Sequence, residues 1–149
     1  GREGKDRGGL GGGGSGKKGV RSHGAYALSK VLCMSDHIEE VYLSRNRIGP
    51  YGSSAIFAAA SENASRNGRL RTLLMRGCRI RERGALAFAQ HLLSSCPSGV
   101  AGGLREVDLS ANRIGFRGCF EIEKALEERT KGGEEKEEGG GTDVRVDLE

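Results

Sequence analysis

One apolar pattern, repeated three times in full and once in part, constrains this chain more than any other feature. Ile38, Val41, Leu43, Asn46 and Ile48 are answered by Leu70, Leu73, Met75, Cys78 and Ile80, and again by Leu104, Val107, Leu109, Asn112 and Ile114. A shortened copy follows as Val144, Val146 and Leu148. With the first apolar residue as position 1, the copies start at Ile38, Leu70, Leu104 and Asp143, at spacings of 32, 34 and 39 residues. Recurrence at such a period marks one small structural unit stacked on copies of itself, because no unit can bury its apolar faces alone.

Each unit reads as strand, turn and helix. Position 15 is glycine in every full copy (Gly52, Gly84, Gly118), and Gly24 fits the same role in an incomplete first unit. Beyond that glycine the apolar period changes from about two to about 3.6, as at a strand-to-helix transition. The predicted helical core is Ala27, Leu28, Val31 and Leu32 in the first unit, then Ala55, Ile56, Ala59 and Ala60. It continues with Ala87, Phe88 and Leu92, then Ile122, Ala125 and Leu126. The position-15 glycine serves either close backbone approach or a positive φ. The small residue at position 9 (Asn46, Cys78, Asn112) is placed to bond backbone groups of the turn leaving the strand, where no sheet partner is available.

From Gly24 through Leu148 the chain resembles the ribonuclease-inhibitor subfamily of leucine-rich repeats. The likeness rests on L-x-x-L-x-L-x-x-N/C-x-I, the glycine and helix that follow, and the alternation Asn46, Cys78, Asn112. The resemblance implies a right-handed α/β solenoid, with parallel strands on a concave face and helices on a convex one. About three full repeats carry a partial repeat at each end. Units of that family run to about 28 residues; the excess here falls at 64–68, 98–103 and 132–142, before each next strand. In the first unit Gly13 and Ser15 stand where core apolar residues belong, so its strand, expected near 10–20, is degenerate. The resemblance implies a scaffold that binds another protein, not an enzyme. Ran GTPase-activating proteins resemble the same repeat type, and a structural segment of a cytoskeletal or innate-immunity protein is a further alternative.

Composition divides the chain. Glycine accounts for 26 residues, concentrated in 1–19 and 132–142 among Lys, Arg and Glu, segments with too little apolar surface to order themselves. The expected organisation is a low-complexity segment 1–19 and a repeat domain 20–149. The domain divides into a partial repeat 20–37, repeats 38–69, 70–103 and 104–142, and a truncated repeat 143–149. A net charge of +4, with acidic and basic residues interspersed, argues against a dedicated nucleic-acid surface. No apolar run approaches the roughly 20 residues of a membrane span. Cys33, Cys78, Cys96 and Cys119 show no C-x-x-C spacing and read as reduced thiols of a cytoplasmic protein. The sequon Asn63-Ala64-Ser65 points the other way and is discounted. A start at Gly1 and a final strand pattern without its helix read as a segment of a longer protein. Its last strand edge would then be open to self-association.

Motifs with chemistry are few. Residues 11–18 nearly spell a phosphate-binding loop, but Lys18 replaces the Mg²⁺-binding hydroxyl and Lys5, Asp6 and Arg7 stand where a strand is needed. The same glycine-rich basic segment reads as a linker. His23, His37 and His91 lack ligand-spaced partners, so no metal, cofactor or catalytic residue is expected. Two surface features remain. Arg47, Arg79 and Arg113 all occupy position 10 and form a row that either docks acidic groups or simply suits this turn. On the strand face, position 5 reads Tyr42, Leu74, Asp108, Asp147, and position 3 reads Glu40, Thr72, Glu106, Arg145. An apolar pair, Tyr42 and Leu74, beside Glu40, Glu106 and Asp108 is the expected partner contact.

Overall fold

A computed structural model of the chain describes residues 19–66, 68–94, 103–131 and 145–149. All but the last two residues of the expected first strand, the phosphate-loop-like run and the whole 132–142 insertion lie outside these residues, as do Cys96 and the side chain of Leu92. Four helices, α1 (Ser22–Met34), α2 (Gly49–Ser65), α3 (Arg81–Ser94) and α4 (Gly115–Lys131), alternate with β1 (Glu40–Tyr42), β2 (Thr72–Leu74), β3 (Glu106–Asp108) and β4 (Arg145–Asp147). The strands form one parallel sheet in the order β1-β2-β3-β4. Each helix packs on the next in chain order. Chain neighbours are thus spatial neighbours in both layers, as a stacked repeat requires.

Strand length follows from the three-residue pattern around position 4. Val41, Leu73 and Val107 point into the core, whereas the residues on either side point to solvent. The register matches the repeat alignment residue for residue, with Val41 opposite Leu73, Leu73 opposite Val107, and Val107 opposite Val146. On the helical side Ile56, Phe88 and Ile122 are buried as expected, with Ala59, Ala60 and Ala125. Ala55, Ala87 and Leu126 are only partly buried. Phe57, Ala85 and Ala89 join the core without having been singled out; Phe57 and Phe88 pack with ring centroids 4.9 Å apart.

Two expected core positions fail. Ala27 and Val31 are exposed, and α1 buries Ala25, Ser29 and Leu32 instead, with Leu28 partly covered. The equivalents of Val31 in α2 and α4, Ala59 and Ala125, are buried, in helices that each pack on the helix before. Among the described residues α1 has no helix before it, so that side faces water. The first expected excess segment is also partly helical, because α2 continues through Ala64 and Ser65.

The two readings of the position-15 glycine separate cleanly. Gly52, Gly84 and Gly118 lie inside helices without positive φ. A Cβ on Gly84 would meet Ile80 Cγ2 at 2.5 Å and Ser53 Oγ at 2.7 Å. One on Gly118 would meet Ile114 Cγ2 at 2.4 Å and Ala85 Cβ at 2.9 Å. Glycine lets each helix approach its predecessor. Positive φ recurs at position 12 instead, at Gly49, Arg81 and Gly115. An L-residue there costs about 1 kcal/mol or more. Arg81→Gly is therefore expected to stabilise the protein by about 0.5–1 kcal/mol, after the added flexibility of the unfolded chain is subtracted. Arg83→Gly, two residues into α3, is expected to destabilise it by about 1 kcal/mol. Urea unfolding of both variants checks the opposite signs; a loss of stability in Arg81→Gly would contradict the strain.

Candidate functional site

The turn that leaves each strand is built around position 9. Asn112 is buried, and its Nδ2 donates to the carbonyl oxygens of Met75 (2.7 Å), Leu109 (2.9 Å) and Ser110 (3.2 Å). Its Oδ1 accepts from the backbone N–H groups of Cys78 (2.6 Å) and Ile80 (3.3 Å) of the preceding unit. Asn46 repeats the arrangement, donating to Leu43 O and accepting from Val20 N, both at 2.7 Å. Cys78 keeps part of it, donating from Sγ to Leu43 O at 3.0 Å. Burial pushes the Cys78 thiol above its ordinary pKa, which disfavours the thiolate that a nucleophile requires. Position 9 thus bonds its own turn, as expected, and also ties adjacent units together.

A second buried polar anchor was not anticipated. Asn63, in α2, donates from Nδ2 to Leu32 O (3.0 Å) and Ser35 O (2.7 Å), and its Oδ1 accepts from Leu70 N (3.4 Å). It closes the end of α1 and fixes the approach to β2. Its amide is consumed inside the protein, so the sequon at Asn63 is not available as a surface site. A buried Asn carries no sequence signal that separates it from an exposed one; only the long-range carbonyls identify it.

These turns hold the solvent-facing side of the sheet. In register across the four strands, Tyr42 lies opposite Leu74, Leu74 opposite Asp108, and Asp108 opposite Asp147. The companion row is Glu40, Thr72, Glu106 and Arg145. The apolar pair and the acidic residues expected from the repeat alignment are brought together on one face. Tyr42 is 64% exposed, and Leu74 is half-buried. The Tyr42 hydroxyl donates to Glu40 Oε2, which holds the ring in place and raises the phenol pKa above its ordinary value. Asp108 Oδ1 accepts from the N–H and hydroxyl of Ser110, at 2.9 and 2.6 Å, so one oxygen is already engaged. A rigid aromatic and an aliphatic side chain beside carboxylates can bury area against a partner at little entropic cost.

Arg47, Arg79 and Arg113 are exposed at the strand-to-helix edge. Stacking continues through the turns: Arg45 N donates to Arg76 O and Gly49 N to Cys78 O, while Gly77 N donates to Ser110 O and Arg81 N to Asn112 O. Position 10 lies between these bonded pairs, so the three arginines follow one another at about the 4.8 Å pitch of a sheet. Arg79 and Arg113 have φ of 61° and 52°, while Arg47 instead forms a parallel bridge to Arg21.

Among the described residues no group of His, Cys, Asp and Glu is arranged to hold a metal, and no helix is long and apolar enough to cross a membrane. Burial lowers the His91 pKa, favouring the neutral imidazole.

Compared with models of known protein families, the chain matches none. It is similar to a ribonuclease inhibitor from Sus scrofa, with 30% identity over 101 residues. The aligned stretch is 68% of this chain and only 20% of that relative, so the chain spans about a fifth of the relative's length.

Proposed function

We propose that this chain is a leucine-rich-repeat solenoid segment of the ribonuclease-inhibitor-like type, formed by residues 20–149 after a low-complexity stretch. Its function is non-catalytic binding of another protein on the solvent-facing sheet surface. The observation that carries this reading is the Tyr42–Leu74 cross-strand pair, an exposed ring on β1 beside a half-buried leucine on β2, with Glu40, Glu106 and Asp108 on the same face. Similarity to a protein named for inhibiting an enzyme supports a binding role. The surface is held by backbone ladders and buried side chains, so a partner gives up little ordering entropy in meeting it. Unpaired Cys33, Cys78 and Cys119 suit a reducing, cytoplasmic compartment.

The test starts with a partner captured by affinity purification and identified. Tyr42→Ala combined with Leu74→Ala is expected to weaken its binding by about 2 kcal/mol, roughly 30-fold, with the melting temperature nearly unchanged. Unchanged affinity together with a footprint mapped to the helices would remove the sheet face as the contact.

A further inference from the structure

The edge where strands turn into helices carries a concentration of positive charge that the fold itself does not use. Arg45, Arg47, Arg79, Arg81 and Arg113 are all exposed there, and among the described residues none forms an ion pair. Four of the five adopt positive φ, between 52° and 63°. Glycine with positive φ occupies the place of Arg45 at Gly77 and the place of Arg81 at Gly49 and Gly115, whereas position 10 is arginine in all three units. At Arg45, Arg79, Arg81 and Arg113 the arginine sits against the backbone's preference, and no ion pair of its guanidinium offsets that among the described residues. Other arginines of the edge do have partners: Arg83 lies over the Tyr51 ring at 5.0 Å, and Arg117 pairs with Glu82 at 3.8 Å. The positive ends of α2, α3 and α4 point to the same edge, and neither α2 nor α4 has an acidic residue in its first turn.

Guanidinium groups in a row recognise carboxylates by paired N–H donors, a geometry that lysine cannot supply. We propose that this edge docks an acidic helical segment of a partner protein, its carboxylates paired with the row Arg47, Arg79 and Arg113. Glutamates one turn apart on a helix have Cβ atoms about 5–6 Å apart, close to the roughly 4.8 Å pitch of the row. A continuous polyphosphate fits less well. The row spans only three units, and the adjoining sheet face carries Glu40, Glu106, Asp108 and Asp147, which would repel it. A protein can present acid to the edge and a different surface to the sheet. The inference adds a second contact to the sheet-face reading and rests on it only for the partner's being a protein.

The test uses a fluorescein-labelled, glutamate-rich helical peptide, titrated by anisotropy at low salt and at physiological ionic strength. Arg47→Gln, Arg79→Gln and Arg113→Gln together are expected to weaken binding about tenfold or more. Arg69→Gln with Arg105→Gln, on the opposite edge, is expected to change it less than about twofold. Arg79→Gly with Arg113→Gly removes charge while relieving the backbone, so weaker binding with an unchanged or higher melting temperature excludes unfolding as the cause. No measurable binding by the wild-type protein, or equal losses from both edges, would overturn the proposal. So would tighter binding of an oligothymidylate that is lost in the same variants. Tyr42→Ala with Leu74→Ala is the comparison for binding of the captured partner. If the edge variants bind the captured partner normally while that pair does not, the edge falls and the sheet face stands.

Discussion

Asn112→Ala is expected to remove about 3–5 kcal/mol of stability, as much as truncating a large core side chain. The side chain makes five hydrogen bonds inside the turn, three as donor and two as acceptor. Alanine leaves the N–H groups of Cys78 and Ile80 and the carbonyl of Met75 without their present partner. A buried group stripped of its partner costs about 1–3 kcal/mol, and water entering the space recovers part of that. The bonds reach into the preceding unit, so the loss falls on the coupling between units as well as on one turn. Asn112→Asp is expected to be no better: it keeps an acceptor but turns a carboxylate toward three carbonyl oxygens. Asn46→Ala should cost less, about 1–2 kcal/mol, because Asn46 is half-buried and makes two bonds. Urea unfolding of the three variants gives the order directly. A loss below about 1 kcal/mol for Asn112→Ala would mean that the turn is held by its apolar neighbours alone.

Leu73→Ala is expected to cost about 2–5 kcal/mol. Leu73 is fully buried in β2, with Val41 and Val107 as its neighbours in register on either side. Removing its isobutyl group loses the transfer energy and leaves a cavity in the middle of a repeat stack, where both neighbouring units resist collapse. Val41→Ala, in β1 at the side of the sheet, is expected to cost less because fewer methyl groups are lost and the site is 8% exposed. Tyr42→Ala, next in the chain but on the solvent face, should change stability by less than about 0.5 kcal/mol. That contrast between adjacent residues tests the register, since a one-residue slip would exchange the two outcomes. Hydrogen exchange offers an independent check, with the backbone around Leu73 and Val107 expected among the best protected.

Strand register, the sequential order of units and the identity of the solvent-facing rows were legible in the sequence. Their cause is local and periodic: every unit repeats the same apolar spacing, so aligning the copies aligns the strands. Tyr42, Leu74 and Asp108 could be placed side by side for that reason alone. The glycine at position 15 was legible as a requirement but not as to kind. Close approach and positive φ both demand glycine, and only the distances from Gly84 to Ser53 and from Gly118 to Ala85 decide for approach.

What only the tertiary structure decided lies where the periodicity ends or where a contact crosses between units. Ala27 and Val31 fit the helical stripe yet face water, because burial on that side is supplied by a preceding helix and α1 has none among the described residues. Asn63 carries a sequon that the sequence reading discounts, yet its role as an internal clamp was not legible, since its partners at Leu32 and Ser35 are distant in sequence. The left-handed arginines belong to the same class. A residue type does not announce its φ, and Arg81 holds the same left-handed conformation that Gly49 and Gly115 hold in the neighbouring units. Periodic sequence fixes what each unit shares, whereas neighbours fix where one unit must differ from the next.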